Sequence, residues 1–150
     1  MKNAKIYRIL VADIDTDFMR RLCDVLNKIS EQYDHIQLRV LPACHSKHVK
    51  PYCEHTFNLA FIDYSLIIDD KNMLISSLHH NNPECLLVLL IDDKGGLQIN
   101  ELVKKLEQQG QPFFGEHLLK DNYSVDLLTI LCKGFIERII NESHQNKSIT

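Results

Sequence analysis

The sequence predicts one doubly wound α/β domain, with a five-stranded parallel sheet and about five helices covering both faces. Three observations predict it. Short β-rich runs alternate with amphipathic helical patterns in crossover units of roughly 20–30 residues, as parallel βαβ architecture requires. Leu86 to Ile91 is an uninterrupted aliphatic run, the pattern of a strand covered on both faces. Asp13, Asp63 and Asp92 each follow directly on an apolar run. In open parallel sheets ligands bind beyond the carboxyl ends of the strands, so acids placed there converge on one pocket.

The elements follow in order. Ile6 to Ala12 is apolar except for Tyr7 and Arg8 and reads as the first strand. Phe18, Leu22, Val25, Leu26 and Ile29 recur at helical spacing, with Asp15 or Thr16 as N-cap. Ile36 to Leu41 alternates as a half-buried second strand. Ser46 to Glu54 predicts a short helix distorted by Pro51. Leu59 to Ile62 is the third strand, followed by a helix near Lys71 to His79, capped by Asp70 and ended by Asn81-Asn82-Pro83. After the fourth strand, Asp92 to Gly96 is a loop. Asn100 then caps a helix carrying Leu102, Val103 and Leu106, closed by Gly110. Phe113-Phe114 and His117 to Leu119 surround a fifth strand, whose start Gly115 leaves open. Ser124 caps the last helix, with a broad stripe of Leu127, Leu128, Leu131, Phe135, Ile136, Ile139 and Ile140. Residues 1–141 form the domain, and 142–150 form a polar, frayed tail.

The bulk properties exclude several classes. At 150 residues one domain buries roughly 70% of its unfolded surface. A net charge of −3 without a basic run gives no attraction to nucleic acid or to a membrane surface. No apolar stretch is long enough for a membrane span, and the apolar run after Met1 to Arg8 is too short for a signal peptide. The cytoplasm is therefore the expected compartment. Cys23, Cys44, Cys53, Cys85 and Cys132 are odd in number and scattered, which suits reduced thiols. Asp13 to Phe18 holds no glycine, against a nucleotide or flavin phosphate loop.

Three segments, in this order and at these strand ends, resemble the receiver domains of bacterial response regulators. Arg8-Ile9-Leu10-Val11-Ala12-Asp13 resembles their first strand with its first pocket acid. Asn58-Leu59-Ala60-Phe61-Ile62-Asp63 resembles the segment before the phosphoacceptor, where Asn58 takes the place of a usual acid. His117-Leu118-Leu119-Lys120, followed at Ser124 by the final helix, resembles the strand that delivers the family's lysine. The likeness covers about residues 5–140 and implies a flavodoxin-like sheet. It further implies phosphoryl transfer from a histidine kinase or phosphotransfer protein to Asp63, with Lys120 as charge partner. Mg²⁺ would be held by Asp13, Asp63 and the backbone carbonyl of Ser65, and by Asp15 if its loop bends inward. A phosphorelay module of this kind is not an enzyme and passes its state to a downstream protein target.

Departures from the pattern are equally specific. The family's second acid is Ile14 here, the hydroxyl of its fourth strand is Ile91, and its aromatic switch position is His117. Its proline after the lysine is Asp121, which predicts a trans bond and a displaced Lys120. These changes make a pseudo-receiver, signalling by binding alone, the alternative. A third reading is a metal or small-ligand sensor built on Cys44, His45, His48, Cys53 and His55, though the spacing matches no zinc knuckle. His79-His80 suits a helix C-terminus, and Cys23, Cys85 and Cys132 suit apolar packing. The apolar last helix could also support a homodimer. The tail from Glu142 reads as a free end or a linker stub, and the chain is expected to stand alone.

Overall fold

Asp15 ends the first β-rich run by capping a helix, and this local device sets the entry to the whole architecture. Its Oδ1 accepts the N–H of Phe18 at 3.2 Å, satisfying a donor that the first helical turn leaves free. The computed structural model describes residues 4–45, 51, 56–67, 74–92, 99–108, 115–120 and 124–149. Its elements run β1 (Lys5–Ala12), α1 (Thr16–Glu31), β2 (Ile36–Ala43), β3 (Leu59–Asp63) and a 3-10 turn (Tyr64–Leu66). Then come α2 (Leu74–Asn81), β4 (Leu86–Ile91), α3 (Ile99–Gln108), β5 (Glu116–Leu119) and α4 (Val125–Ile149). The helix expected over Ser46 to Glu54, the Asp70 cap, Gly110 and Phe113-Phe114 lie outside the described residues.

All five strands pair in parallel, in the order β2-β1-β3-β4-β5. The chain winds one way from β1 to β2 and the other way from β3 onward, so strand order reverses between β1 and β3. That is the doubly wound fold the alternation predicts. Alternate strand residues feed two cores. Ile9, Val11, Leu59, Phe61, Val88 and Leu90 pack with Leu22 and Leu26 of α1 and Leu128, Cys132 and Ile136 of α4. Leu10, Ala12, Ala60, Ile62, Leu89 and Ile91 pack with Leu74, Ile75 and Leu78 of α2 and Leu106 of α3. Each Val, Leu, Ile or Phe among them contributes about 1.5–3 kcal/mol by leaving water.

Four details correct the sequence reading. Asn100 lies inside α3, one residue past its start at Ile99. On α4, Leu127 is exposed whereas Cys132 is buried, because the buried face runs through Leu128, Cys132, Ile136 and Ile139. That helix does not stop at Asn141 but continues to Ile149, with Arg138 paired to Glu142 across the expected boundary. Lastly, Asn82 does more than end α2: its Oδ1 accepts the N–H of Phe57 at 2.7 Å, and its carbonyl accepts that of Cys85. The Ser124 cap is present, accepting from Leu127 N–H at 3.2 Å.

Gly115 explains the ambiguous start of β5. A Cβ there would lie 2.1 Å from the carbonyl oxygen of Leu87, so only glycine lets the fifth strand close on the fourth. Gly134, on α4, has nothing within 4 Å of a built Cβ. Urea unfolding should therefore separate the two: Gly115→Ala destabilises by about 1–3 kcal/mol through overpacking. Gly134→Ala stabilises by roughly 0.5–1 kcal/mol through helix propensity.

Candidate functional site

The reversal of strand order puts the carboxyl ends of β1 and β3 side by side. Ala12 pairs with Ile62, and each strand is followed or closed by an aspartate. Asp13 is fully buried and Asp63 nearly so. The third contributor arrives from the sheet edge. Ile91 pairs with Leu119, and the N–H of Lys120 donates to the Ile91 carbonyl at 2.8 Å. From there the Lys120 ammonium reaches inward, lying 2.8 Å from Asp13 Oδ2, 3.3 Å from Asp63 Oδ2 and 3.9 Å from Asp15 Oδ2. The displacement of Lys120 expected from Asp121 is thus not found. The ladder bond to Ile91 and the pull of two buried carboxylates fix the lysine.

Every oxygen of this cluster has a defined environment. Asp13 Oδ1 accepts the N–H of Asp15 at 2.9 Å and the Lys120 ammonium at 3.1 Å. Asp63 Oδ1 accepts the N–H of Ser65 at 3.5 Å, and Oδ2 accepts the Ser65 hydroxyl at 3.1 Å. Lys120 also lies 5.3 Å over the ring of Phe18, which forms an apolar wall beneath the charge. Sequence reasoning placed Phe18 only on a buried helix face and Ser65 only through its carbonyl. An Asp followed two residues later by Ser was the available signal, since such pairs close turns on their own backbone.

Asp15 stands half-exposed at the rim, 3.9 Å from the lysine while capping α1. Ile14 is 56% exposed, unlike the buried Asp13 beside it. Asp92 follows β4 and is half-buried. Cys44 and His45 are exposed beyond β2, His48, Cys53 and His55 lie outside the described residues, and no metal-holding group of His, Cys, Asp and Glu occurs among the described residues. His79 and His80 are exposed at the end of α2.

Electrostatics follow from this burial. Desolvation pushes the Asp13 carboxyl up to about 6, opposed by the Lys120 and Asp15 hydrogen bonds and reinforced by the charge of Asp63. For Lys120, burial alone would lower the pKa. The hydrogen bond to Asp13 and the charges of both acids outweigh it and hold the ammonium above its usual range. Three carboxylates against one ammonium leave the pocket negative. The oxygen-only donor set fits a hard divalent cation. So does Asp13 Oδ2, which is buried and makes only its ion contact with Lys120 among the described residues.

Acids at the β1 and β3 ends with a lysine from β5 form one pocket at the carboxyl edge of a doubly wound sheet, and comparison with solved structures narrows the fold. The receiver domain of the response regulator AraT from Geobacillus stearothermophilus superposes with a TM-score of 0.63 at 15% identity, covering 93% of this chain and 99% of that one. A beryllofluoride-activated receiver domain, DrrB, gives 0.56 at 17% identity over 89% and 99%. A Burkholderia pseudomallei response regulator with a phosphorylated aspartic acid, calcium ion and citrate gives 0.56 at 19% over 93% and 75%. No protein-family model and no curated protein matches the sequence. The chain has the receiver-domain fold. No helix among the described residues is long and apolar enough to cross a membrane.

Two outcomes follow from the buried cluster. The folded-state pKa of Asp13 lies above its unfolded value of 3.8, so the folded chain holds the extra proton between those values. Its contribution to stability is then greatest below pH 3.8 and falls as pH rises toward 6. Urea midpoints measured across that window should show the decline, and Asp13→Asn should remove that component. Lys120→Ala strands two buried carboxylates and should cost about 3–5 kcal/mol at neutral pH. The double replacement Asp13→Asn with Lys120→Met should recover much of that loss.

Proposed function

We propose that this chain acts as a receiver module in two-component or phosphorelay signalling, with Asp63 as the phosphoacceptor. The observation that carries the reading is one ammonium shared by two buried carboxylates at the strand-order reversal: Lys120 between Asp13 and Asp63. In the transfer, a P–O bond forms to Asp63 while the P–N bond of a partner's phosphohistidine breaks, the imidazole nitrogen keeping the electron pair. Lys120 offsets the charge that gathers on the acyl phosphate, and Phe18 keeps water from the underside of the ammonium. Asp13, Asp63 and the Ser65 carbonyl, with Asp15 at the rim, would hold Mg²⁺, which supplies charge neutralisation when bound. The donor is a histidine kinase or phosphotransfer protein. The surface of α3, β5 and α4 carries the change to a downstream protein target, and the exposed Leu119, Val125, Leu127 and Ile130 on it favour protein contact, a second copy included. In this reading the module turns over no substrate of its own and works in the cytoplasm.

A second reading, a pseudo-receiver that binds partners without being phosphorylated, is favoured by Ile14 at the rim and by the aliphatic end of β4. Acetyl phosphate with Mg²⁺ separates the two. The first reading expects a mass increase of one phosphoryl group that Asp63→Ala abolishes. No increase with acetyl phosphate or with a phosphohistidine donor, on folded protein, rejects it in favour of the second.

A further inference from the structure

Asp63 Oδ2 receives two donors, and they are held in different ways. Lys120 also contacts Asp13 through both oxygens, at 2.8 and 3.1 Å, and rests over Phe18. It has somewhere to stay if Asp63 changes. The Ser65 hydroxyl, 3.1 Å from the same Oδ2, has no other acceptor among the described residues. Its backbone N–H also turns to Asp63, so this carboxylate caps the Tyr64–Leu66 turn. Behind that turn, Leu66 and Ile67 are buried in the apolar layer that also holds Leu74, Ile75 and Leu78 of α2, and the turn itself lies against β4. β4 itself reads Leu-Leu-Val-Leu-Leu-Ile, so no hydroxyl on that strand can follow a change at Asp63.

We infer that Ser65 is the positioning residue that reports the state of Asp63 to α2. A group attached at Oδ2 removes the acceptor that the Ser65 hydroxyl uses, or draws the hydroxyl outward to the new anionic oxygens. Either way the Tyr64–Leu66 turn shifts and disturbs the apolar layer that Leu66 and Ile67 share with α2, while Lys120 remains on Asp13. The natural trigger rests on the phosphoacceptor reading. The coupling between Ser65 and Asp63 does not, because it is a property of the unmodified chain.

Amide hydrogen exchange across the turn and α2 tests this on the full chain and its Asp63→Ala, Ser65→Ala, Ser65→Thr and Asp63→Ala/Ser65→Ala variants. Ser65→Ala should speed exchange there roughly fivefold, the factor of one net hydrogen bond, and Asp63→Ala, which also loses the bond from the Ser65 N–H, at least as much. The double variant should be no faster than Asp63→Ala alone, and Ser65→Thr should exchange like the wild type. Beryllofluoride with Mg²⁺ should reproduce the change in the wild type. In Ser65→Ala, the adduct should still form by fluorine NMR without any further change in exchange. Additive effects in the double variant, or wild-type exchange in Ser65→Ala, overturn the inference. If the wild type takes no beryllofluoride, the phosphoacceptor reading falls, and the variant cycle alone decides whether Ser65 is coupled to Asp63.

Discussion

The ammonium of Lys120, held between Asp13 and Asp63, is the contact on which the carboxyl end of this sheet depends. Asp13 is fully buried, and an unpaired carboxylate there would be neutral or would unfold its surroundings. One lysine from the far edge lets two acids approach each other at the centre. It therefore ties β5 to β1 and β3, which no backbone ladder could do, since β4 lies between. A buried ion cluster is a poor source of net stability, because desolvation cancels most of the attraction. The stability of the domain resides instead in the two apolar layers on either side of the sheet. The cluster is tolerated by that scaffold rather than required by it.

Much of this was legible in the sequence for a simple reason. Parallel strands must be apolar on both faces, so Leu59 to Ile62 and Leu86 to Ile91 announce themselves, and the polar residue that ends such a run marks the strand's carboxyl end. Order and hand of connection then bring those ends together. Asp13 and Asp63 could be grouped, with Asp92, because each is defined by where an apolar run stops, whereas Lys120 joined them only through the resemblance to receiver domains.

What the sequence hid depends on contacts across the chain. The lysine's position follows from the bond of its own N–H to Ile91 and from the buried acids, so the missing proline at Asp121 was a misleading local cue. Gly115 looked like a weakness in β5 until the Leu87 carbonyl appeared where a side chain would be. Asn82 read as a helix stop, yet its side chain spans to Phe57. On α4 the apolar stripe is wider than the face the sheet can cover, and packing against the sheet alone separates buried Leu128 from exposed Leu127. Periodicity specifies a face. It does not specify the edges of that face.

Asp63 performs two jobs with one carboxylate, and this constrains how the site can work. As a cap it holds the Tyr64–Leu66 turn, and as a member of the cluster it faces Lys120. A group that is both structural and reactive cannot be altered chemically without a mechanical consequence, because the turn loses part of what orders it. The consequence is directed by the neighbours. Toward β1 the lysine is anchored by Asp13 and braced by Phe18, so little moves. Toward α2 the turn is exposed at Ser65 and rests on Leu66 and Ile67, whose packing is apolar and without direction. Dispersion contacts of that kind allow a small slide at low cost, whereas the charged side resists one. The asymmetry between a clamped ammonium and a hydroxyl held by Asp63 alone among the described residues therefore selects the α2 side as the one that responds, and it does so with no polar side chain anywhere on β4.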